Sequence, residues 1–469
     1  MLKFLRNYVF VVPLILFFIL SERYLLRDFW FDEALTFLNF VLLPLKKIYF
    51  NYAIPNNHIG YTILLHIWYN AIPQTVQIDV WCRLLSFVFA GVFIIFSWMK
   101  FKRFVFRTML CCFAVSVPFV IYATSVRGYM MSLLFVMIAV HCACRFAYES
   151  SLKNAVVFFL ASLCCVSVLP SNLFALGAVV IYTVPFYDTA FYRKKSFYQL
   201  AGIALMAFFV FWMPLLPQLI KASQLGEGWH DRVGSLVAGG VSFAACVLLP
   251  LLFALFSCFL PYRNHKVRYL RTAALLVLLP LLFLGKVAPF PRVYFPFFGI
   301  FMLIVSGFAS RAVAFVRSKK ICRWKYVKFS FFVLSLILTL GLNYFSSPVK
   351  LLSGINGSSH QDDYFAPWYC ERTHVPRHAA NILAKQEFPL CYLSFSSDPW
   401  SVMFYSALNQ IDMNKFCFDG PRGRVNALPD GALAVINKSE QVQTLTERFR
   451  GVFTEIGKTP MHRIYRYSL

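Results

Sequence analysis

Charge is what this sequence lacks. Only 14% of its 469 residues are charged, just 20 of them Asp or Glu, while 59% are hydrophobic. A soluble globular domain is about 25% charged and roughly 45–50% apolar. The shortage excludes an ordinary soluble fold and points to a chain that crosses a membrane many times. A secretory cleavage site is also missing. NYVFVVPLILFFIL (7–20) runs on without small residues, so it reads as a first anchor. There is no His-Glu-x-x-His and no Walker loop, so neither a zincin nor a P-loop nucleotide enzyme is indicated. Internal repeats and mid-membrane charges, frequent marks of a transporter, are lacking too.

What is abundant is apolar length. Spans are expected at 7–24, 81–99, 104–123, 128–147, 154–170, 172–190, 197–217, 235–260, 269–287, 293–314 and 327–346, about eleven in all, with a polar tail from about 350. The net charge of +25 would suit nucleic acid if it were clustered. It is instead sorted by side. The N-terminus and the even-numbered turns hold 22 Lys and Arg, the opposite loops 10 and the tail 13. By the positive-inside rule the first set is cytoplasmic and the tail lies outside. No nucleic-acid partner is expected. Of the nine acidic residues before position 350, only Glu149 and Asp188 fall on the cytoplasmic side. Candidate general bases therefore gather at the outer face.

The first outer loop, 21–80, carries FWFDEALTF (29–37), with Asp32 and Glu33 side by side among aromatics. Carboxylates are costly near lipid. They are also stabilised at a helix N-terminus, which is the plain structural explanation. On a helix the two diverge by about 100°, so they are not expected to share one role, whereas Asp28 and Asp32 share a face. The stretches 33–50 and 59–72 are apolar, but the second is too short to span. Both are expected to lie along the outer surface, broken at Pro44 and near AIPNNH (53–58).

The order of these segments resembles the GT-C glycosyltransferases. FDEA follows the first span, PNNHIGYTILLH follows in the loop, and WCRLLS opens the second span. SVRGYMMSLLFV (125–136) and APFPRVYFPFFGIFML (288–303) match family segments later in the chain. The resemblance is narrower to the family 39, protein O-mannosyltransferase-like group and its bacterial relatives, including the lipid A aminoarabinose transferases. It covers roughly 1–350. It implies an enzyme moving a sugar from a polyprenyl-phosphate donor to a lipid, glycan or protein acceptor. Asp32 would be the general base, with Glu33 beside it. Asn57 and His58 would sit at the substrate, although family members often continue His-Pro-Pro where this chain has His58-Ile59-Gly60. A lipid-phosphate leaving group needs cations at the outer face, and Arg127, Lys286 and Arg292 stand at span ends there. The same residues would also simply snorkel to headgroups. Tyr129 and Tyr294 accompany them, or act as interfacial belt aromatics. GEGWHDRVG (226–234) leaves a divalent cation open, with no cofactor certain. A bacterial inner membrane is the expected location. A lipid-linked saccharide flippase and a polysaccharide polymerase or ligase are the alternatives. The latter more often carries its large outer loop late in the chain.

Two domains are thus expected: a membrane domain, 1–349, and an outer α/β domain, 350–469. In the tail, Arg377 onward and SEQVQTLTERFRG look helical, while LCYLSF, ALAVIN and the C-terminal alternation look like strands. The paired Cys111/Cys112 and Cys164/Cys165, and Cys142 with Cys144, read as small packing residues within spans. Among Cys370, Cys391 and Cys417 one disulfide is allowed, with its pairing open.

Overall fold

The computed structural model describes residues 11–52, 57–73, 75–184, 195–224, 232–260, 291–318, 324–345, 376–394, 397–419, 425–437, 440–459 and 462–469. They form two compact units. One comprises residues up to Leu25 and Leu45–Phe365, and the other Leu26–Pro44 with Ala366–Leu469. The segment Leu26–Pro44, which the sequence places in a loop of the membrane part, therefore belongs with the tail.

The first unit is helical. Among the described residues six helices are long and apolar enough to cross a membrane: Ile78–Lys100, Tyr129–Tyr148, Lys195–Ala222, Gly239–Ser257, Arg292–Ser318 and Tyr326–Tyr344. The expected span at 104–123 is two helices, Phe104–Ala114 and Val117–Ala123, bent by 65°, and counting them as one gives seven. The bend has a local cause. Pro118 sits in the first turn of the second helix, where a missing N–H costs nothing. The freed backbone groups are taken up by another helix. Val117 N–H donates to Asn343 Oδ1 at 3.1 Å, and Tyr344 OH donates to Val115 O at 3.0 Å. The expected spans at 7–24, 154–170 and 172–190 correspond to shorter apolar helices, Val11–Glu22, Leu152–Val168 and Asn172–Thr183. The one at 269–287 lies outside the described residues. Six or seven crossings is what length and composition establish here.

The helix Ile59–Tyr69 has 11 residues. At 1.5 Å per residue it reaches about 16 Å, half of a roughly 30 Å hydrocarbon core. It is tied to the following span by two indoles stacked 4.6 Å apart. Trp68 Nε1–H donates to Trp81 O at 2.9 Å, and Trp81 Nε1–H to Trp68 O at 2.7 Å.

The second unit is a five-stranded mixed sheet ordered β2-β1-β3-β5-β4. The strands are β1 Cys391–Leu393, β2 Phe416–Cys417, β3 Leu433–Asn437, β4 Val452–Lys458 and β5 His462–Ser468. β1 pairs in parallel with β2 and β3, while β5 runs antiparallel to β3 and β4. Side chains alternate between two cores. Cys391, Leu393, Leu433 and Val435 enter one with helices Pro376–Leu383 and Pro399–Leu408. Tyr392, Ala434 and Ile436 enter the other with helix Val442–Phe449. Burial on both faces explains why the inner strands read as continuous apolar runs. The helix Pro399–Leu408 was not expected. Its start is nonetheless written as Asp-Pro-Trp-Ser. Asp398 accepts from Ser401 N–H at 3.3 Å and from Ser401 Oγ at 2.7 Å, with Pro399 at the first helical position.

Candidate active site

The acidic segment belongs to the sheet-bearing unit. Phe31–Thr36 is a six-residue helix with Asp32 and Glu33 in its first turn, followed by a π-helical turn, Phe37–Val41. Asp32 is 8% exposed and Glu33 0%. Glu33 folds back to the helix start, where its Oε2 accepts from Trp30 N–H at 3.3 Å and its Oε1 lies 3.8 Å from Arg27 Nη2. The guanidinium of Arg27 stands 6.0 Å from the Trp30 ring. Glu33 thus does a capping carboxylate's work. Asp32, one position earlier, leaves the helix about 100° away. Just ahead of the helix, Asp28 pairs with Arg377, and Phe29 N–H donates to Tyr405 OH at 2.7 Å. Neither partner has a local sequence signal, since they come from the far end of the chain.

A second cluster forms within the membrane unit. His58 stands just ahead of the helix Ile59–Tyr69 and is buried with Arg127 and Tyr129. Gly128 N–H donates to His58 Nδ1 at 2.9 Å, and His58 Nε2 is 3.3 Å from Arg127 Nη2. A backbone N–H can only donate, so Nδ1 accepts and the proton of the neutral ring lies on Nε2. Arg127 also offers only donors. Two donor groups therefore converge at this point. Burial holds the His58 pKa well below the usual histidine range, reinforced by the charges of Arg127 and Arg292. His58 is a neutral donor here, and Arg292 lies close enough to be felt.

Glycine makes this approach feasible. A Cβ on Gly128 would lie 2.4 Å from Val168 Cγ1 and 2.9 Å from Tyr61 Cβ. At Gly60 a Cβ would lie 2.0 Å from Ser167 Oγ. Glycine there goes with close packing of the helix Ile59–Tyr69 on the helix Leu152–Val168. Tyr61 OH and Ser86 Oγ pair at 2.8 Å, and Ser86 Oγ donates to the Arg127 carbonyl at 3.2 Å. The Tyr129 ring meets His58 edge-on at 4.9 Å and Tyr122 at 4.8 Å. Tyr52 is buried beside them, and burial raises its pKa. Sequence reasoning missed Tyr52, Tyr61, Ser86 and Tyr122, since tyrosine and serine are common at such positions.

The other expected residues have distinct placements. Asn57 spends its amide within the loop, donating to Asn51 O at 2.7 Å and accepting from Thr62 Oγ1 at 3.0 Å. Arg292 and Tyr294 belong to the 3₁₀ segment Pro291–Phe297, with Tyr294 buried. Lys286 and the residues Glu227, His230 and Asp231 lie outside the described residues. Among the described residues no three His, Cys, Asp or Glu side chains come together as a metal site would need.

No family model matches the chain, and no curated protein matches it. Among solved structures, the crystal structure of ArnT from Cupriavidus metallidurans bound to undecaprenyl phosphate is similar. Its TM-score is 0.53 over 98% of this chain and 97% of that one, at 12% identity. The same protein in the apo state gives 0.49 over the same shares, also at 12% identity. The likeness to the undecaprenyl phosphate complex is one of overall fold alone. It does not single out family 39.

Proposed function

We propose that the chain is an integral-membrane glycosyltransferase that moves a sugar from a polyprenyl-phosphate donor to an acceptor hydroxyl. The observation that carries this reading is the buried convergence of Arg127 and His58 donors, with Arg292 near enough to be felt. It occurs in a fold like that of a protein crystallised with undecaprenyl phosphate. The acceptor oxygen attacks the anomeric carbon. The carbon–oxygen bond to phosphate breaks with its electron pair going to the phosphate, and the acceptor proton passes to Asp32. A single displacement of this kind inverts the anomeric centre. Arg127, Arg292 and the His58 Nε2–H bear the charge that builds on the leaving phosphate. Glu33 orients the helix that carries Asp32. Tyr129 and Tyr294 line the donor's path, and Lys286 adds a further cation.

We place the chain in a bacterial inner membrane with eleven crossings, the N-terminus cytoplasmic and the tail periplasmic. The sidedness of Lys and Arg and the apolar helices support this. The test is release of polyprenyl phosphate by the purified protein in detergent, using donors with different sugars and a panel of lipid, glycan and peptide acceptors. Acceptor-dependent release that fails in Arg127→Ala is expected. No release with any lipid-phosphate donor overturns the assignment.

A further inference from the structure

The acidic helix cannot hold itself in place. Isolated helices shorter than about 12–15 residues are marginal in water, so a six-residue helix takes its register from its surroundings. Those surroundings come from the opposite end of the chain. Asp28 Oδ2 accepts from Arg377 N–H at 3.0 Å, and Asp28 Oδ1 accepts from Arg377 Nε–H at 3.2 Å. Arg377 stands in the first turn of the helix Pro376–Leu383, so a carboxylate from early in the chain caps a helix near its end. The Arg377 guanidinium also lies 4.7 Å from the Tyr405 ring. The Tyr405 hydroxyl accepts from Phe29 N–H at 2.7 Å in a buried bond. Phe404, its neighbour on that helix, meets Phe29 at 4.7 Å and Phe37 at 5.3 Å. Two adjacent residues, Asp28 and Phe29, are thus fixed by main-chain bonds, and Phe37 is fixed on the far side of Asp32 and Glu33. Asp28 stands three positions ahead of the helix Phe31–Thr36 and four before Asp32, so slackness at Asp28 passes through a short non-helical lead-in to the carboxylate.

We infer that Arg377 and Tyr405 are positioning residues that hold the Asp32–Glu33 helix in register, making the C-terminal domain a splint for the acidic segment. The role in turnover rests on Asp32 being the base. The contact itself does not.

The test uses the full-length protein carrying Arg377→Ala, Asp28→Asn or Tyr405→Phe. Tyr405→Phe keeps the ring and removes only the acceptor for Phe29 N–H. Two quantities are read: amide hydrogen exchange over 28–36, and kcat against KM for a polyprenyl-phosphate donor. Exchange over 28–36 should rise at least several-fold while exchange in β3 stays at the wild-type level. The kcat should fall on the order of 10–100-fold with donor KM little changed, because misplacement costs rate more than binding. Arg377→Lys should recover part of the loss. The double variant Asp28→Asn/Arg377→Ala should lose less than the product of the two single losses, since the two side chains share a contact. Asp32→Asn should lower transfer about 10²–10⁴-fold with exchange unchanged. Unchanged exchange over 28–36 in all three single variants overturns the splint, and so does a double variant whose losses multiply. Near-normal transfer by Asp32→Asn overturns the base assignment instead, and the exchange data then decide the splint alone.

Discussion

Asp32 and Glu33 are neighbours with different work. Glu33 is occupied with Trp30 N–H and Arg27 at the helix start. Asp32, less enclosed, is the carboxylate we propose as the base. Removing a general base costs about 10²–10⁴-fold. Asp32→Asn should therefore lower transfer by that factor while donor binding, followed separately, persists. Glu33→Gln keeps an oxygen for Trp30 N–H but loses the charge facing Arg27, so transfer should fall to an intermediate rate. His58 gives a pH prediction. Burial in the folded protein resists protonating it, whereas in the unfolded chain it takes up the proton at the ordinary histidine value of 6.5. The unfolded state thus binds more protons as pH drops, and stability should fall below about pH 6.5. Melting curves at about pH 7.5 and about pH 5.5 should show a smaller pH effect in His58→Gln. Gly128→Ala forces a methyl group against Val168 and Tyr61. Overpacking typically costs about 1–3 kcal/mol, visible as a lowered melting temperature.

Elements follow local rules where local rules suffice. The tail strands and the helices Pro376–Leu383 and Val442–Phe449 are legible as alternation and amphipathic spacing. The helix Pro399–Leu408 is hidden because its apolar residues continue the strand-like run before it, and only the Asp-Pro-Trp-Ser start betrays it. The bend at 115–117 is hidden as well, since its polar partners Asn343 and Tyr344 are more than two hundred positions away. Strand register answers part of what cysteine counting left open. Cys391 aligns with Phe416 and Tyr392 with Cys417, so the two thiols point to opposite faces of the sheet and do not pair with each other. Alkylation under denaturing, non-reducing conditions should find Cys391 and Cys417 both modified. A peptide pair linked through them would contradict the register.

At the scale of the whole chain, the membrane character is legible because lipid imposes long apolar runs. The candidate residues are half legible. Positions 32, 58, 127 and 292 stand out as rare polar groups in apolar settings, but nothing in the sequence shows that 26–44 packs with the tail. Pairing across hundreds of positions leaves no periodicity to read. Cysteine-accessibility labelling tests the sidedness: the turns at 100–107 and 263–266 should label from the cytoplasm, and position 221 and the tail from outside. Tail labelling from the cytoplasm would sink the eleven-span arrangement.

The bond between Asp28 and Arg377 joins residues 349 positions apart. Translation proceeds at about 5–20 residues per second, so the acidic segment waits on the order of 20–70 s for its splint to be made. Throughout that interval the nascent chain carries Asp32 and Glu33 on a helix too short to persist, with Phe29 and Phe37 still uncovered. The FDEA motif, among the first parts synthesised, gains its shape among the last, and a chain cut short before Pro376 has the motif without the fold that supports it.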